Sequence, residues 1–350
     1  MEMPETRAQA CRRLFPKEKN YRLKQLEAAV FNPDWSGWLE ATPLPAALRE
    51  SLTAAAVPWI AVTDHLIQES ADKAAYKAAL RLTDGQGIET VLMRNRRGHW
   101  TVCLSTQVGC AMRCAFCATG RLGLQRNLTD DEIVDQYRFW VRFMNQENMA
   151  GQITNLVLMG MGEPLANYEP VRSALNRLLD NTDIGPTRVT VSTVGLLPGL
   201  ERLLDDPHWP AVRLAISLHS ADQATRESLM PTTAPDFNEK LADWGQRYLR
   251  KFKSRRRHLT FEYLLLAGVN DRPKDADGLI RLATRIDKVK INLIPFNATG
   301  AALAGSDEAS VKRFAERLSA AGLDVTRRRS LGQDIDAACG QLANQDRTPD

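Results

Sequence analysis

Cys110, Cys114 and Cys117 stand at the spacing C-x3-C-x2-C in the stretch TVCLSTQVGCAMRCAFCATG (101–120), and Cys103 lies seven residues before the first of them. These are four of the six cysteines in the chain. Crowded into fifteen residues of a large, charged polypeptide, they suit metal binding or thiol catalysis better than a disulfide framework. Structural zinc asks for four ligands in a closed tetrahedron, typically as two C-x2-C pairs. A [4Fe–4S] cluster is normally held by four cysteines, and one held by three keeps an iron open to a further ligand. Three thiols in the tight motif, with Cys103 inside a strand, favour a cluster held by Cys110, Cys114 and Cys117. Zinc is the alternative.

Other elements must carry that loop and whatever faces it. Residues 1–75 read as a small helical N-terminal domain, with helical apolar spacing in NYRLKQLEAAVF (20–31) and LPAALRESLTAAAV (44–57) around the turn-rich NPDWSGW. Residues 76–99 read as a hairpin linker of two half-buried strands around DGQG. From residue 100, short β-rich runs alternate with amphipathic helices. The runs are WTVCLSTQV (100–108), NLVLMG (155–160), RVTVST (188–193), VRLAISLH (212–219), LTFEYLLLAGV (259–269) and KINLIPF (290–296). Helices are expected at 129–144, where Thr129 and Glu132 make a capping-box pattern, and at 170–180, 237–252, 275–286 and 307–322, the last stopped by Gly322. Six strands joined by right-handed crossovers predict an α/β fold. The parallel sheet would curve into a partial (β/α)6 barrel over residues 100–331, with a C-terminal segment at 332–350. Chemistry in such folds gathers where strands end.

Composition agrees with a soluble globular protein, at 44% hydrophobic and 25% charged residues, and the net charge of +4 says little about nucleic acid. MEMPETRAQACRRLF lacks the pattern of a secretory signal, and no apolar run is long enough to cross a bilayer. A cytosolic location and no membrane partner are expected.

The cysteine motif matches the signature of radical S-adenosylmethionine (SAM) enzymes. Five further segments narrow the match: MGMGEPL (159–165), VTVSTVG (189–195), AISLHS (215–220), INLIPFN (291–297) and DIDAACGQL (334–342). Together they resemble the RlmN/Cfr family of RNA adenine methyltransferases over residues 76 to 343. The resemblance implies a [4Fe–4S] cluster and SAM as cofactors, with Gly162, Glu163, Ser192, Ser217, Leu218, His219 and Asn297 forming the SAM pocket. On their own residues, MGMGEP is either a ligand-approaching loop or a tight βα turn, and Glu163 either meets the SAM amino group or caps a helix. His219 is either a pocket residue or a satisfied core histidine.

Carbons C2 and C8 of adenine are not nucleophilic, so direct transfer from a sulfonium cannot methylate them. By resemblance, Cys339 takes a methyl group from one SAM and becomes S-methylcysteine. A second SAM supplies the radical that activates that methyl for attack on the base. Cys103 then resolves the protein–RNA adduct by forming a transient disulfide with Cys339. The family treats the counterpart of Glu89 as a proton acceptor; a solvated strand carboxylate is the plainer reading. Buried filler is the plainer reading of any lone cysteine, and the one adopted for Cys11.

Expected partners are 23S ribosomal RNA, with transfer RNA as a second candidate substrate, and a flavodoxin- or ferredoxin-type electron donor, with the chain a monomer. Basic runs at 94–99, 250–258 and 326–330 either hold phosphates or are solvated loops. Trp35 and Trp38 either stack on bases or pack in the core. Against the family pattern, NATGAALAGSDEASV after INLIPFN is short and proline-free, which falls where substrate loops would sit. Rival readings are C8 methylation and a non-catalytic, zinc-stabilised RNA-binding module.

Overall fold

The computed structural model describes residues 3–17, 20–252, 259–287 and 289–343, so the basic segment 253–258 lies outside the described residues. Helices α1 (Arg7–Leu14), α2 (Asn20–Val30) and α3 (Ala46–Ala54) open the chain. Their apolar faces close on a core of their own that includes Ala10, Cys11, Leu26, Leu48 and Leu52. Trp38 packs there edge-on to Trp59, ring centroids 4.9 Å apart, and its Nε1 donates to Val57 O at 2.7 Å. Cys11 is filler in this core, and Trp35 is half-buried against it.

Strands β1 (Val62–Glu69), β2 (Ala75–Leu82), β3 (Gly87–Arg94) and β4 (Trp100–Cys103) pair antiparallel in that order. The hairpin β2–β3 is where the sequence places it. β1, however, falls in the stretch expected to be helical. A bulge between Asp64 and Leu66 breaks its period of two, so the alternation does not show in the sequence.

After β4 the chain leaves the sheet. β5 (Gln107–Gly109) pairs instead with β6 (Leu124–Asn127) across α4 (Ala118–Arg121), which splits the strand expected over 100–108. At the break, Ser105 N donates to Gln136 Oε1 and Thr106 N to Met161 O, both at 2.7 Å, so this backbone is satisfied outside the ladder.

Helix α5 (Asp130–Gln146) starts at the expected capping box, Glu132 N donating to Thr129 Oγ1 at 3.1 Å and Thr129 N to Glu132 Oε2 at 2.8 Å. There follow β7 (Ile153–Leu158), α6 (Tyr168–Asn181), β8 (Val189–Thr193), α7 (Leu197–Asp205), β9 (Arg213–Ser217), α8 (Gln223–Leu229) and α9 (Phe237–Lys251). The barrel ends with β10 (Leu259–Leu265), α10 (Pro273–Ile286), β11 (Val289–Pro295), α11 (Glu308–Ala320) and β12 (Asp324–Arg327).

The large sheet runs β1-β2-β3-β4-β7-β8-β9-β10-β11-β12, and every pairing from β4 onward is parallel. This is the expected partial barrel with one addition, since β12 is a seventh parallel strand. Helices α1, α7 and α8, of eight, nine and seven residues, also exceed the expected set. Each is about two turns long, too short for apolar periodicity to stand out.

Buried charge docks the N-terminal helices on the barrel. Arg7 Nη1 donates to Asp135 Oδ2 at 2.7 Å and to Trp59 O at 3.0 Å, and its Nη2 lies 2.8 Å from Asp131 Oδ1. Burial pushes the Asp135 carboxyl up, but Arg7 and Arg138 overcome it and hold it down to about 2. Removing one partner of such a set strands a buried charge, so R7M should lower unfolding stability by about 3–5 kcal/mol in a chemical melt.

Candidate active site

The loop from Cys110 to Gly123 is held from several sides. Cys110 N donates to Gly123 O at 2.9 Å, Ala115 N to Leu229 O at 2.8 Å, and Ala118 N to Gly340 O at 2.7 Å. Gly109 (φ +74°) makes the loop's closure feasible, because a Cβ there would lie 1.8 Å from Gly123 O. Cys110, Cys114 and Cys117 face one cavity of about 160 Å³ at the strand ends. Burial pushes the Cys110 thiol up to about 12 and the Cys114 thiol well above its ordinary range, and neighbouring thiols raise both further.

Thiols that oppose one another's ionisation call for a cationic centre between them. Among the described residues, no three His, Cys, Asp or Glu side chains close on a point that a single metal ion would fill. The three thiols stand on the wall of a space instead. Three thiols on one cavity are the donor set of a cluster, in which different thiolates bond different irons.

The same cavity is lined by Gly162, Glu163, Ser192, Ser217, His219, Asn297 and Cys339. Leu218 is fully buried and does not line it; its N–H donates to Glu262 O at 3.0 Å. Glu163 does cap a short 3-10 helix, Oε1 accepting from Leu165 N at 2.9 Å, while Oε2 accepts from Val194 N at 2.8 Å. Each oxygen keeps a second lone pair for the cavity. Burial pushes this carboxyl up, and Thr193, Val194 and Leu165 oppose the shift by hydrogen bonding. Ser192 Oγ and Ser217 Oγ stand 3.4 Å apart.

His219 joins both of its readings. Its Nδ1 accepts from Leu264 N at 3.0 Å, which leaves the ring proton on Nε2, and its ring meets Phe116 edge-on with centroids 4.6 Å apart. Burial first, then Arg226, pulls its pKa down to about 3 from 6.5. The unfolded chain therefore takes a proton that the folded chain refuses, and stability must fall as pH drops below about 6.5. The melting temperature should decline between pH 7.5 and 5.5, and less so in H219Q.

Cys103 and Cys339 meet behind this cavity. Together with Met159, Arg328 and Leu342 they line a crevice of about 30 Å³. Cys103 is 6% exposed; burial pushes its thiol up to about 12, Cys339 adds to the shift, and Arg328 opposes it. The C-terminal segment that carries Cys339 is fastened through its backbone. Asn297 Nδ2 donates to Cys339 O at 3.1 Å, and Thr119 Oγ1 to Leu342 O at 2.6 Å.

Glu89 is neither solvated nor in the main cavity. It is 2% exposed, its Oε2 accepts from Ala343 N at 2.8 Å, and Lys77 Nζ lies 3.5 Å from its Oε1. It lines a second cavity with Lys77, Arg121 and Gln341.

Two charged residues of the site escape the motif reading. Glu262 faces the main cavity, its carboxylate accepting from Asn292 Nδ2 at 2.8 and 3.0 Å. Arg328 lines both the cavity and the crevice; its N–H donates to Leu293 O at 2.8 Å and its Nη1 rests 3.1 Å from Met159 Sδ. A lone Glu in the apolar run LTFEYLLL is a signal for the first. For Arg328 the sequence offers no signal, because β12 is legible as a strand only beside β11; there Arg327 turns outward to an exposed ion pair with Glu308.

A partial barrel with a three-thiol loop and a glycine-lined cavity at its strand ends defines a radical SAM protein, and residues 104–283 match the model of the Radical SAM superfamily. A crystal structure of a radical SAM methyltransferase from Sphaerobacter thermophilus superposes with a TM-score of 0.87 at 38% identity, covering 98% of this chain and all of that one. The dual-specificity RNA methyltransferase RlmN of Solidesulfovibrio magneticus is 43% identical over 329 residues, 93% of this chain and 91% of its own length. The probable dual-specificity RNA methyltransferase RlmN of Moorella thermoacetica is 43% identical over 331 residues, with the same coverage. The chain belongs to the RlmN family of radical SAM methyltransferases. Among its described residues, no helix is long and apolar enough to cross a membrane.

Proposed function

We propose that this protein methylates C2 of an adenine in 23S ribosomal RNA and in transfer RNA, through a methyl group carried on Cys339. The observation that supports this most is the pairing of Cys103 with Cys339 in one crevice beside the three-thiol cavity. A [4Fe–4S] cluster and SAM, when bound, supply a transferable methyl group and a hydrogen-abstracting radical. Cys110, Cys114 and Cys117 would hold the cluster, and Gly162, Glu163, Ser192, Ser217, His219 and Asn297 the SAM, while Leu218 stands off the cavity.

The remaining work falls to the chain's own groups. Cys339 must be a thiolate to accept a methyl group, and Arg328 supplies a positive charge beside it. The sulfur of Cys339 would then bridge its carbon to the base. Cys103 as a thiolate attacks that sulfur, the S–S bond forming as the S–C bond breaks; the carbon leaves with the electron pair and takes a proton to become the product methyl. An external thiol reductant returns both cysteines to thiols. Glu89 latches the C-terminal segment through Ala343, so it reaches the base as a proton acceptor only when that segment shifts. Residues 1–75 and 76–99 form the N-terminal and linker units of this reading, 100–331 the catalytic core and 332–350 the methyl-carrying segment. The enzyme acts as a cytosolic monomer reduced by a flavodoxin or ferredoxin.

Anaerobic reconstitution should give about four iron and four sulfide per chain, and C114A should lose them. The reduced protein, incubated with SAM and ribosomal RNA fragments or transfer RNA, should yield 5′-deoxyadenosine and 2-methyladenine by mass spectrometry. Finding 8-methyladenine instead would reject the C2 assignment. Bound zinc without labile sulfide would reject the radical reading altogether.

A further inference from the structure

Among the described residues four arginines are buried, and three of them are answered by carboxylates. Arg7 pairs with Asp131 and Asp135, Arg126 with Glu132 and Asp84, and Arg138 with Asp135. The fourth, Arg226 on α8, is 1% exposed and forms no ion pair with Asp or Glu among the described residues.

Its contacts are all to neutral groups. Nη1 donates to Thr233 Oγ1 at 2.6 Å, and Nη2 to Val194 O at 2.5 Å and Ser217 O at 3.3 Å. The guanidinium carbon sits 3.6 Å from the centroid of the Phe237 ring, and Nε has no hydrogen-bond partner. An isolated buried cation is costly, which is why such groups are normally paired.

The place of Arg226 says what pairs with it. Helix α8 ends against the cysteine loop, where Leu229 O accepts from Ala115 N and Leu229 packs with Cys110 and Cys114. The two carbonyls and one hydroxyl that hold the guanidinium belong to Val194, Ser217 and Thr233, and the first two line the main cavity. The cavity that those two residues line is the one that Cys110, Cys114 and Cys117 face.

We propose that Arg226 is the fixed countercharge of the iron–sulfur centre, a positioning residue that makes the centre easier to reduce. This rests on the iron–sulfur reading above. One electron from an external reductant adds a negative charge to the centre, and no bond or proton at Arg226 changes. The guanidinium acts through space, in a site where low dielectric and a fixed distance make one charge count.

The test is a redox titration of the anaerobically reconstituted protein, with dithionite as reductant and electron paramagnetic resonance as readout. R226Q should disfavour the reduced state at least tenfold, a potential about 59 mV lower for one electron. T233D, which keeps Arg226 and gives it a carboxylate, should shift the potential in the same direction. R226K, which keeps the charge and loses the planar fork, should shift it less than R226Q does. A merely structural arginine would instead lose cluster occupancy or melting temperature in R226K and R226Q alike, with the potential of the loaded fraction unchanged. Either R226Q or T233D, loaded with cluster at the wild-type potential, would overturn the proposal; T233D carries the test if R226Q does not fold. Failure of the wild-type protein itself to take up iron and sulfide would overturn the iron–sulfur reading and this inference with it.

Discussion

C339A is expected to bring RNA methylation to the detection limit, a loss on the order of 10⁶-fold, the scale seen when a covalent nucleophile is removed. No second group stands ready to replace it. Cys103 shares the crevice, but burial pushes its thiol up to about 12, so it is scarcely a thiolate near neutral pH. The fold should survive, because the C-terminal segment is tied down by main-chain groups: Cys339 O, Gly340 O and Leu342 O all accept hydrogen bonds, and none involves the Cys339 side chain. Iron content and melting temperature should therefore match the wild type, and the loss can be read as chemistry. Methylation by C339A above a few per cent of wild type would remove this residue from the mechanism.

C103A should fail differently. The early steps need only Cys339, so the methyl group should still reach the base, but nothing then attacks the bridging sulfur. Turnover should stop below one per chain, with protein and RNA covalently joined and separable from free protein on a denaturing gel. Ribonuclease digestion should leave a nucleotide on the Cys339 peptide. The small crevice around Cys103 makes this a conservative truncation, costing roughly 1 kcal/mol of stability. Multiple turnovers by C103A, or no adduct in any fraction, would deny it the resolving role.

Much of the barrel can be read from the sequence because parallel strands buried against helices are runs of Val, Ile and Leu, and NLVL, RVTVST and KINLIPF stand out between amphipathic helices. The same rule hides the exceptions. β1 carries a bulge that breaks alternation, and β12, with only Val325 as a β-branched aliphatic in DVTR, looks like a polar loop until β11 is beside it. WTVCLSTQV reads as one strand because nothing in its composition tells that Ser105 and Thr106 bond to Gln136 and Met161 rather than to a neighbouring strand.

The candidate site divides the same way. Cys110, Cys114, Cys117 and the residues of MGMGEPL are marked by spacing, and the cavity gathers them. Arg226 and Arg328 carry no such mark. Each is one arginine among many in the sequence, and only burial and the direction of the side chain set them apart. Glu89 shows the reverse case. Its place on a hairpin strand suggests water, but the C-terminal residues that bury it arrive from more than 250 positions away.

The most direct test of the account is the mass of the Cys339 peptide. The reconstituted protein is incubated with SAM bearing a trideuterated methyl group, without RNA, then digested and sequenced by mass spectrometry. One labelled methyl on Cys339, and none on Cys103, is the result expected; on adding RNA and reductant, that carbon should appear in 2-methyladenine. RNA that acquires the label while Cys339 never carries it would contradict the account.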